Sequence, residues 1–81
     1  MHDGRYLIIL IEKNKIEQLR AGLTKEQIIF LLGTPSITDV FHQDRWDYVY
    51  LNREKGKFSE PKTLTIFFAN EVVREIYSQD V

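Results

Sequence analysis

The sequence predicts an α+β domain in which two short N-terminal helices pack on a three-stranded antiparallel sheet, in the order α-α-β-β-β. Helix-capping signals occur in the first half of the chain, and apolar residues alternate with polar ones in the second half. A run of helices followed by a run of strands is typical of the α+β class. With 81 residues there is room for one core, so we expect a single domain over residues 1–81, with residues 1–8 as an extended or flexible arm.

The first predicted element lies in residues 9–20, where charged residues separate apolar ones near helical spacing. Residues 6–11 are rich in β-branched and aromatic side chains, which also suit extended chain. We therefore predict extended chain first and a helix after it, ending at Gly22. The apolar positions of this helix are Ile9, Ile16 and Leu19.

The second predicted helix covers residues 25–32 and begins with a capping box. Thr24 is followed three residues later by Gln27, so each side chain can bond the backbone N–H of the other residue. Gly33 and Pro35 end the helix, because proline cannot continue it and restricts the residue before it. Two short helices joined by a tight turn are therefore expected.

Three strands should follow these helices. In residues 46–51 the aromatic residues Trp46, Tyr48 and Tyr50 alternate with their neighbours, which predicts the first strand. Residues 52–62 contain glycine, serine, proline and several charges, and so predict a mobile surface loop.

The last two predicted strands form a hairpin. Apolar residues alternate again in residues 63–69, and residues 72–77 return as the third strand. Asn70 and Glu71 lie between them, and asparagine tolerates the positive φ that a tight hairpin turn requires.

Composition excludes several classes of function. Eleven basic residues balance twelve acidic ones, so no long-range field attracts nucleic acid, and no cysteine is present to bind zinc or act as a nucleophile. No serine pairs with a histidine at a recognisable spacing. Asp39, His42 and Asp44 match no familiar metal-ligand set. We therefore expect a binding module without a cofactor, and no enzyme.

Several short motifs, taken together, carry a family resemblance. They are residues 22–28 (GLTKEQI), residues 32–35 (LGTP), Asp39, residues 41–42 (FH) and residues 45–50 (RWDYVY). In order and spacing they resemble the BamE family, also called SmpA or OmlA. That family has a Gly-Met-Thr-x-x-Gln-Val helix start, a Leu-Gly-Thr-Pro turn, an Asp-Pro-Phe loop and a Trp-x-Tyr-Val strand. The hairpin at residues 63–77 extends the resemblance over most of the chain.

The resemblance implies a lipoprotein anchored at the periplasmic face of the outer membrane. Members of the family are non-catalytic subunits of the complex that inserts β-barrel proteins. One surface meets the helical-repeat lipoprotein and the central barrel protein of that complex, and an overlapping surface is linked to phosphatidylglycerol. Carried over by position, the partner- and lipid-binding residues would be Leu10, Ile11, Ile37, Asp39, Phe41, Trp46 and Tyr48.

This chain departs from the family pattern at Leu23 and Val40, which replace the methionine and the proline given above, and at two further places. Residues 7–9 are apolar where the family has a Gln-Gly-Asn box, so this N-terminal segment is either an apolar docking strip or part of the core. Leu51 stands at the position of a family arginine, although Arg53 follows in the predicted loop. Because a charge-assisted donor has moved, we expect anionic lipid to bind less firmly than in the family.

The predicted fold also supports a second hypothesis. The same two-helix, three-strand layout resembles the repeat unit of the β-lactamase inhibitory proteins, so a free-standing periplasmic inhibitor or interaction module is the alternative. A lipid-modified cysteine upstream would favour the assembly role, and a plain secretion signal would favour the inhibitor. We expect a monomer or a domain-swapped dimer, because a small sheet has exposed edges.

Overall fold

Four strands form one mixed sheet, and two short helices cover one of its faces. The computed structural model describes residues 8–36 and 44–80 of the chain. In chain order the elements are β1 (Ile8–Leu10), α1 (Lys13–Ile16), α2 (Lys25–Leu32), β2 (Arg45–Leu51), β3 (Arg53–Glu54), β4 (Lys57–Phe58), β5 (Lys62–Ala69) and β6 (Val72–Asp80). The sheet has the order β1-β2-β5-β6, and β3 pairs with β4 separately. The α+β class is confirmed.

Alternation along the strands sends one set of side chains into a core beneath the helices. Tyr48 pairs with Leu64 and Trp46 with Ile66, so these four side chains lie on one face of the sheet. The buried cluster on this face consists of Ile11, Leu23, Ile28, Leu32, Tyr48, Tyr50, Leu64, Ile66, Phe68 and Val73. We call the opposite side the open face; it carries Ile8, Leu10, Arg45, Asp47, Thr65, Phe67, Glu75 and Tyr77.

The predicted three-stranded sheet was wrong in one respect, because a fourth strand is present. The three predicted strands are β2, β5 and β6, and they are antiparallel as expected. β1 adds to the free edge of β2 in parallel, with Ile8 beside Val49 and Leu10 beside Leu51. A short parallel strand depends on a partner about forty residues away along the chain, which local patterns do not reveal. The sheet therefore does not match the predicted β-lactamase-inhibitor layout exactly.

The N-terminal segment has the predicted order of extended chain followed by helix. The helix is much shorter than residues 9–20 suggested, because β1 takes the first residues and α1 covers only Lys13–Ile16. Residues 1–7 of the predicted arm lie outside the described residues, and its last residue, Ile8, begins β1.

The capping box predicted at α2 is confirmed. The Thr24 hydroxyl accepts from the Gln27 backbone N–H at 3.1 Å, and the Gln27 side-chain oxygen accepts from the Thr24 N–H at 2.8 Å. Ile28 and Leu32, one turn apart, are buried against the sheet. Gly33 follows with φ of 84°, a conformation that favours glycine, and α2 ends there as predicted.

Residues 52–62 contain a hairpin, so the prediction of a mobile loop was wrong there. β3 and β4 pair across a two-residue turn in which Lys55 and Gly56 both have positive φ, 53° and 80°. Such turns match the right-handed twist of the strands they join. The Lys13 ammonium lies 3.3 Å from the Glu54 carboxylate and connects the hairpin to α1.

The turn predicted between the last two strands is confirmed. Asn70 and Glu71 have φ of 54° and 70° and join β5 to β6. β6 is longer than residues 72–77, since it continues to Asp80. The register between β5 and β6 shifts at Phe67 and Phe68, where β6 carries one extra residue in a β-bulge.

Replacing Glu71 by glycine should stabilise the fold. A side chain in the left-handed region is strained, whereas glycine adopts positive φ without a steric penalty. We expect the free energy of unfolding to rise by about 0.5–1 kcal/mol in urea denaturation. Glu71→Ala is the control, because it also removes the carboxylate but keeps the strain. If both variants unfold alike, the turn strain has been relieved elsewhere.

Candidate protein-binding surface

Trp46 lies at the start of β2 and is half-buried at the border of the core. Its ring packs edge-on against Phe68, with ring centres 4.8 Å apart and planes at 67°. The Lys25 ammonium lies 5.6 Å from the Trp46 ring centre and 5.2 Å from that of Phe68. A cation in this position is attracted by the negative faces of both rings. The indole is therefore fixed in orientation while part of it stays exposed.

The capping box at the start of α2 places Lys25 in this position. The Lys25 backbone N–H donates to the Glu71 carbonyl at 3.3 Å, and its ammonium lies 3.6 Å from the Glu71 carboxylate. Because Glu71 is largely exposed, this ion pair orients the ammonium more than it stabilises the fold. A cavity of about 210 Å³ lies beside it, lined by Lys25, Asp44, Phe68, Asn70 and Glu71. We call these five residues, with Trp46, the Trp46 end.

The groups at the Trp46 end suit binding between proteins. They offer two carboxylates, an ammonium, a side-chain amide and part of the Trp46 ring, whereas the ring of Phe68 is buried. In the part of the chain that the structure describes, no three His, Asp or Glu side chains are grouped to hold a metal ion. Asp39 and His42, considered above with Asp44, lie outside that part. Hydrogen bonds, ion pairs and aromatic contact are thus what this end provides.

Tyr48 lies two residues further along β2, in the centre of the core. Its side chain is 0% exposed, and its hydroxyl donates to the Gly33 carbonyl at 2.8 Å. Burial raises the pKa of the Tyr48 phenol, because the phenolate would lose its hydration. In this conformation a partner cannot touch the Tyr48 side chain, and its role is to join β2 to the end of α2.

Leu10 and Ile11 are neighbours in sequence with opposite environments. Leu10 is 48% exposed on the open face, whereas Ile11 is 3% exposed within the core. The Ile11 backbone N–H donates to the Leu51 carbonyl at 2.9 Å, which keeps the chain extended here and turns the two side chains to opposite sides. Of the two open alternatives for this segment, docking strip or core, the structure places Leu10 where a partner could reach it and Ile11 in the core.

Three further predicted site residues, Ile37, Asp39 and Phe41, lie outside the described residues. The residues that flank them are both bonded to the sheet. On one side the Val49 N–H donates to the Ser36 hydroxyl at 3.1 Å. On the other side the Asp44 carbonyl accepts from the Phe68 N–H at 2.7 Å. The described residues on either side of this segment, Ser36 and Asp44, are thus both held to the sheet by hydrogen bonds.

Among the described residues, four apolar side chains that are not in the predicted site are more than half exposed. Phe30 on α2 is 83% exposed, Phe58 on β4 62%, Tyr77 on β6 57% and Ile8 on β1 52%. The pattern of α2 contains a signal for the first, because Ile28 and Leu32 occupy the core face and Phe30 must then point away. The Lys15 ammonium lies 5.9 Å from the ring centre of Phe30.

The open face carries a second aromatic group, which is shielded by charged side chains. Tyr77 meets Phe67 edge-on at 5.7 Å, and the Arg45 and Arg74 guanidinium groups lie 5.6 and 5.7 Å from the Phe67 ring centre. Arg74 is the extra residue of the bulge, which turns its side chain toward Phe67. Arg45 also binds the Asp47 carboxylate at 3.2 Å. The charged and aromatic side chains of this group are thus paired with one another, as they are at the Trp46 end.

Comparison with known families gives one match over most of the chain. Residues 9–77 match the family described as the outer membrane protein assembly factor BamE domain. This span contains both helices and all of the sheet described above except the first residue of β1 and the last three of β6.

Three relatives illustrate the similarity, and each is named outer membrane protein assembly factor BamE. The Nitrosomonas europaea protein is 39% identical over 67 residues, which cover 83% of this chain and 41% of that protein. The Neisseria meningitidis protein is 40% identical over 73 residues, covering 84% and 58%. The Xanthomonas campestris protein is 46% identical over 65 residues, covering 79% and 50%. The chain thus spans about half the length of these relatives. None of its described helices is long and apolar enough to cross a membrane.

Replacing Tyr48 by phenylalanine should destabilise the fold by about 1 kcal/mol, because the Gly33 carbonyl loses its donor inside the core. Urea denaturation measures the change. Tyr77→Phe is the matched control, since the Tyr77 hydroxyl bonds the Glu75 carboxylate at 3.2 Å on the surface. Equal stabilities of the two variants would contradict a structural role for the Tyr48 hydroxyl.

Stability should also fall in alkaline solution. The raised pKa of Tyr48 means that the folded state keeps the phenol protonated while the unfolded chain ionises it near pH 10. The stability contributed by the buried, protonated Tyr48 phenol is therefore complete below about pH 10 and is lost as pH rises above that value. We expect the free energy of unfolding to decline more steeply between about pH 10 and 11 in the wild type than in Tyr48→Phe. Parallel declines would show that another group is responsible.

Proposed function

The chain belongs to the BamE family of outer membrane protein assembly factors, and from this we propose that it acts in the complex that inserts β-barrel proteins into the outer membrane. It is a non-catalytic accessory subunit that binds partner assembly proteins, namely the helical-repeat lipoprotein and the central barrel protein. The full-length protein is held at the periplasmic face of the outer membrane by a lipid anchor. This chain supplies the folded domain that meets the partners.

The observation that carries the proposal is the half-buried Trp46 indole, which packs on Lys25 and Phe68, two of the residues that line a cavity of mixed charge. Aromatic residues fixed in orientation are typical centres of protein interfaces, because little conformational entropy is lost when they bind. Lys25 and Phe68 fix the indole from within the domain, and Asp44 and Glu71 provide polar groups at its rim. Such a site can contact a partner without any rearrangement of the sheet.

Of the other predicted residues, Ile37, Asp39 and Phe41 lie outside the described residues, and in our proposal they contribute to the contact surface. Leu10 lies apart from the Trp46 end, beside Leu51 at the other end of β2. Leu10 adds an exposed apolar side chain on the open face. Tyr48 and Ile11 act through the core and do not touch the partner.

Phosphatidylglycerol is a further ligand in this proposal, bound less firmly than the family resemblance alone would imply. Leu51, half-buried at the end of β2, offers no charge to a lipid phosphate. Arg53 is exposed in β3, immediately beyond it, and supplies a guanidinium donor. A cation carried by a two-residue strand is less well positioned than one within the sheet.

The test is capture of the barrel-insertion complex from detergent-solubilised outer membranes. We expect the wild-type chain to bring down the complex, and Phe41→Ala and Trp46→Ala to bind at least tenfold more weakly, as for central aromatic residues of an interface. Phe58→Ala is the matched control, because this phenylalanine is exposed on the hairpin beyond the other end of β2.

Circular dichroism and thermal unfolding must first show that all three variants are folded. Equal capture by every variant would remove the Trp46 end from the interface. Failure of the wild type to capture the complex would overturn the proposed role, and capture of a single soluble periplasmic protein instead would favour the inhibitor hypothesis.

A further inference from the structure

The two edges of the sheet differ in length and in protection. β1 forms one edge and has only three residues, which leaves little free backbone. β6 forms the other edge and has nine residues. An edge strand exposes unpaired N–H and C=O groups along its whole length, and natural proteins usually cover or interrupt them. The outer side of β6 is therefore the larger potential template for another strand.

The first residues of β6 are covered by the chain itself. The Gly22 N–H donates to the Val73 carbonyl at 2.9 Å, and the Val73 N–H donates to the Leu23 carbonyl at 2.7 Å. Thr24 forms an antiparallel bridge with Val72. The turn before α2 thus pairs with β6 as a short strand would. In the described part of the chain this cover stops at Val73.

In the remaining residues of β6, backbone groups at alternate positions point away from β5, and no other described strand pairs with them. The Phe68 N–H donates toward β2, so the backbone of Thr65, three residues earlier, faces β6. Its partner Tyr77 therefore faces β5 in return. In an antiparallel ladder the residues on either side of Tyr77 face the other way. The N–H and C=O groups of Ile76 and Ser78 consequently point outward.

The side chains along this stretch provide little protection against an added strand. Residues 75–79 contain no lysine and no proline, the residues that commonly block edges. Glu75, Tyr77 and Gln79 are exposed on the open face, and Ile76 is half-buried on the core face. An added strand with apolar side chains on one face and polar ones on the other would match the core face and the open face of β6. That alternation is the pattern of a membrane-spanning β-barrel strand.

We propose that residues 75–79 of β6 bind an extended segment of a β-barrel client protein, which adds to the sheet as an antiparallel strand. Its backbone would form hydrogen bonds with the backbone of Ile76 and Ser78. The added strand would lie in line with the turn before α2, which already pairs with the start of β6. The choice of client rests on the proposed function. The site itself is separate from the Trp46 end, which lies on β2 and β5 beside the start of α2.

The experiment uses a short synthetic peptide in which valine and tyrosine alternate with threonine, with one lysine to face Glu75. We expect weak but saturable binding, with amide hydrogen exchange slowed at Ile76 and Ser78. Ser78→Pro should weaken binding at least tenfold, because proline removes an outward N–H. Ser78→Ala keeps that N–H and should bind as the wild type does.

A peptide methylated on alternate backbone nitrogens gives the same test without changing the protein. Methylation on the edge that faces β6 should abolish binding, and methylation on the other edge should not. Equal binding of both methylated peptides, or no binding of the unmodified one, would overturn the proposal. So would self-association of the chain that Ser78→Pro abolishes, because the occupant would then be a second copy.

Failure here can be told apart from failure of the proposed function. Ser78→Pro leaves the Trp46 end intact and should still capture the barrel-insertion complex. If that capture persists while the wild type binds no peptide, the client site is overturned and the assembly role stands. Loss of capture in the folded Ser78→Pro variant would also overturn the proposal, because β6 would then belong to the partner interface.

Discussion

Burial of Tyr48 beneath α2 is the contact on which the rest of the structure depends. The hydroxyl bonds the last turn of the helix at the Gly33 carbonyl, while the ring occupies the centre of the core. β2 is also one of the two inner strands of the sheet, paired with β1 on one side and with β5 on the other. One buried side chain thus sets the distance between the helix and the sheet. Because protein interiors are closely packed, the neighbouring apolar side chains must accommodate this arrangement.

Along β2, side chains that support the fold and side chains that a partner could reach occupy different positions. Tyr48 is inaccessible. Trp46, two residues earlier and on the same face of β2, lies where the helices no longer cover the sheet, and its indole is partly exposed. Lys25 connects the two regions, because the helix that covers Tyr48 also places its ammonium against the indole. The proposed protein-binding site therefore lies at the border of the core and needs no separate structural element. It is rigid for the same reason that the core is rigid.

The sheet edges show how a small domain manages unpaired backbone. A three-residue strand protects β2, and the turn before α2 covers the start of β6 through Gly22 and Leu23. Both devices use chain from the N-terminal half to complete a sheet made in the C-terminal half. The part of β6 left uncovered is therefore exceptional within the described fold, which is why it is the place where an added strand would fit.

Local signals in the sequence determined both ends of α2, the alternating faces of β2, β5 and β6, and the turn at Asn70 and Glu71, because each depends on residues within one turn or one hairpin. The order of the motifs also identified the family. Only the tertiary structure decided that β1 joins the sheet, that residues 52–62 form a hairpin, and that Leu10 is exposed while Ile11 is buried. Those outcomes depend on strand pairing and burial between distant or weakly patterned segments, and alternation alone does not reveal which face of such a segment will be covered.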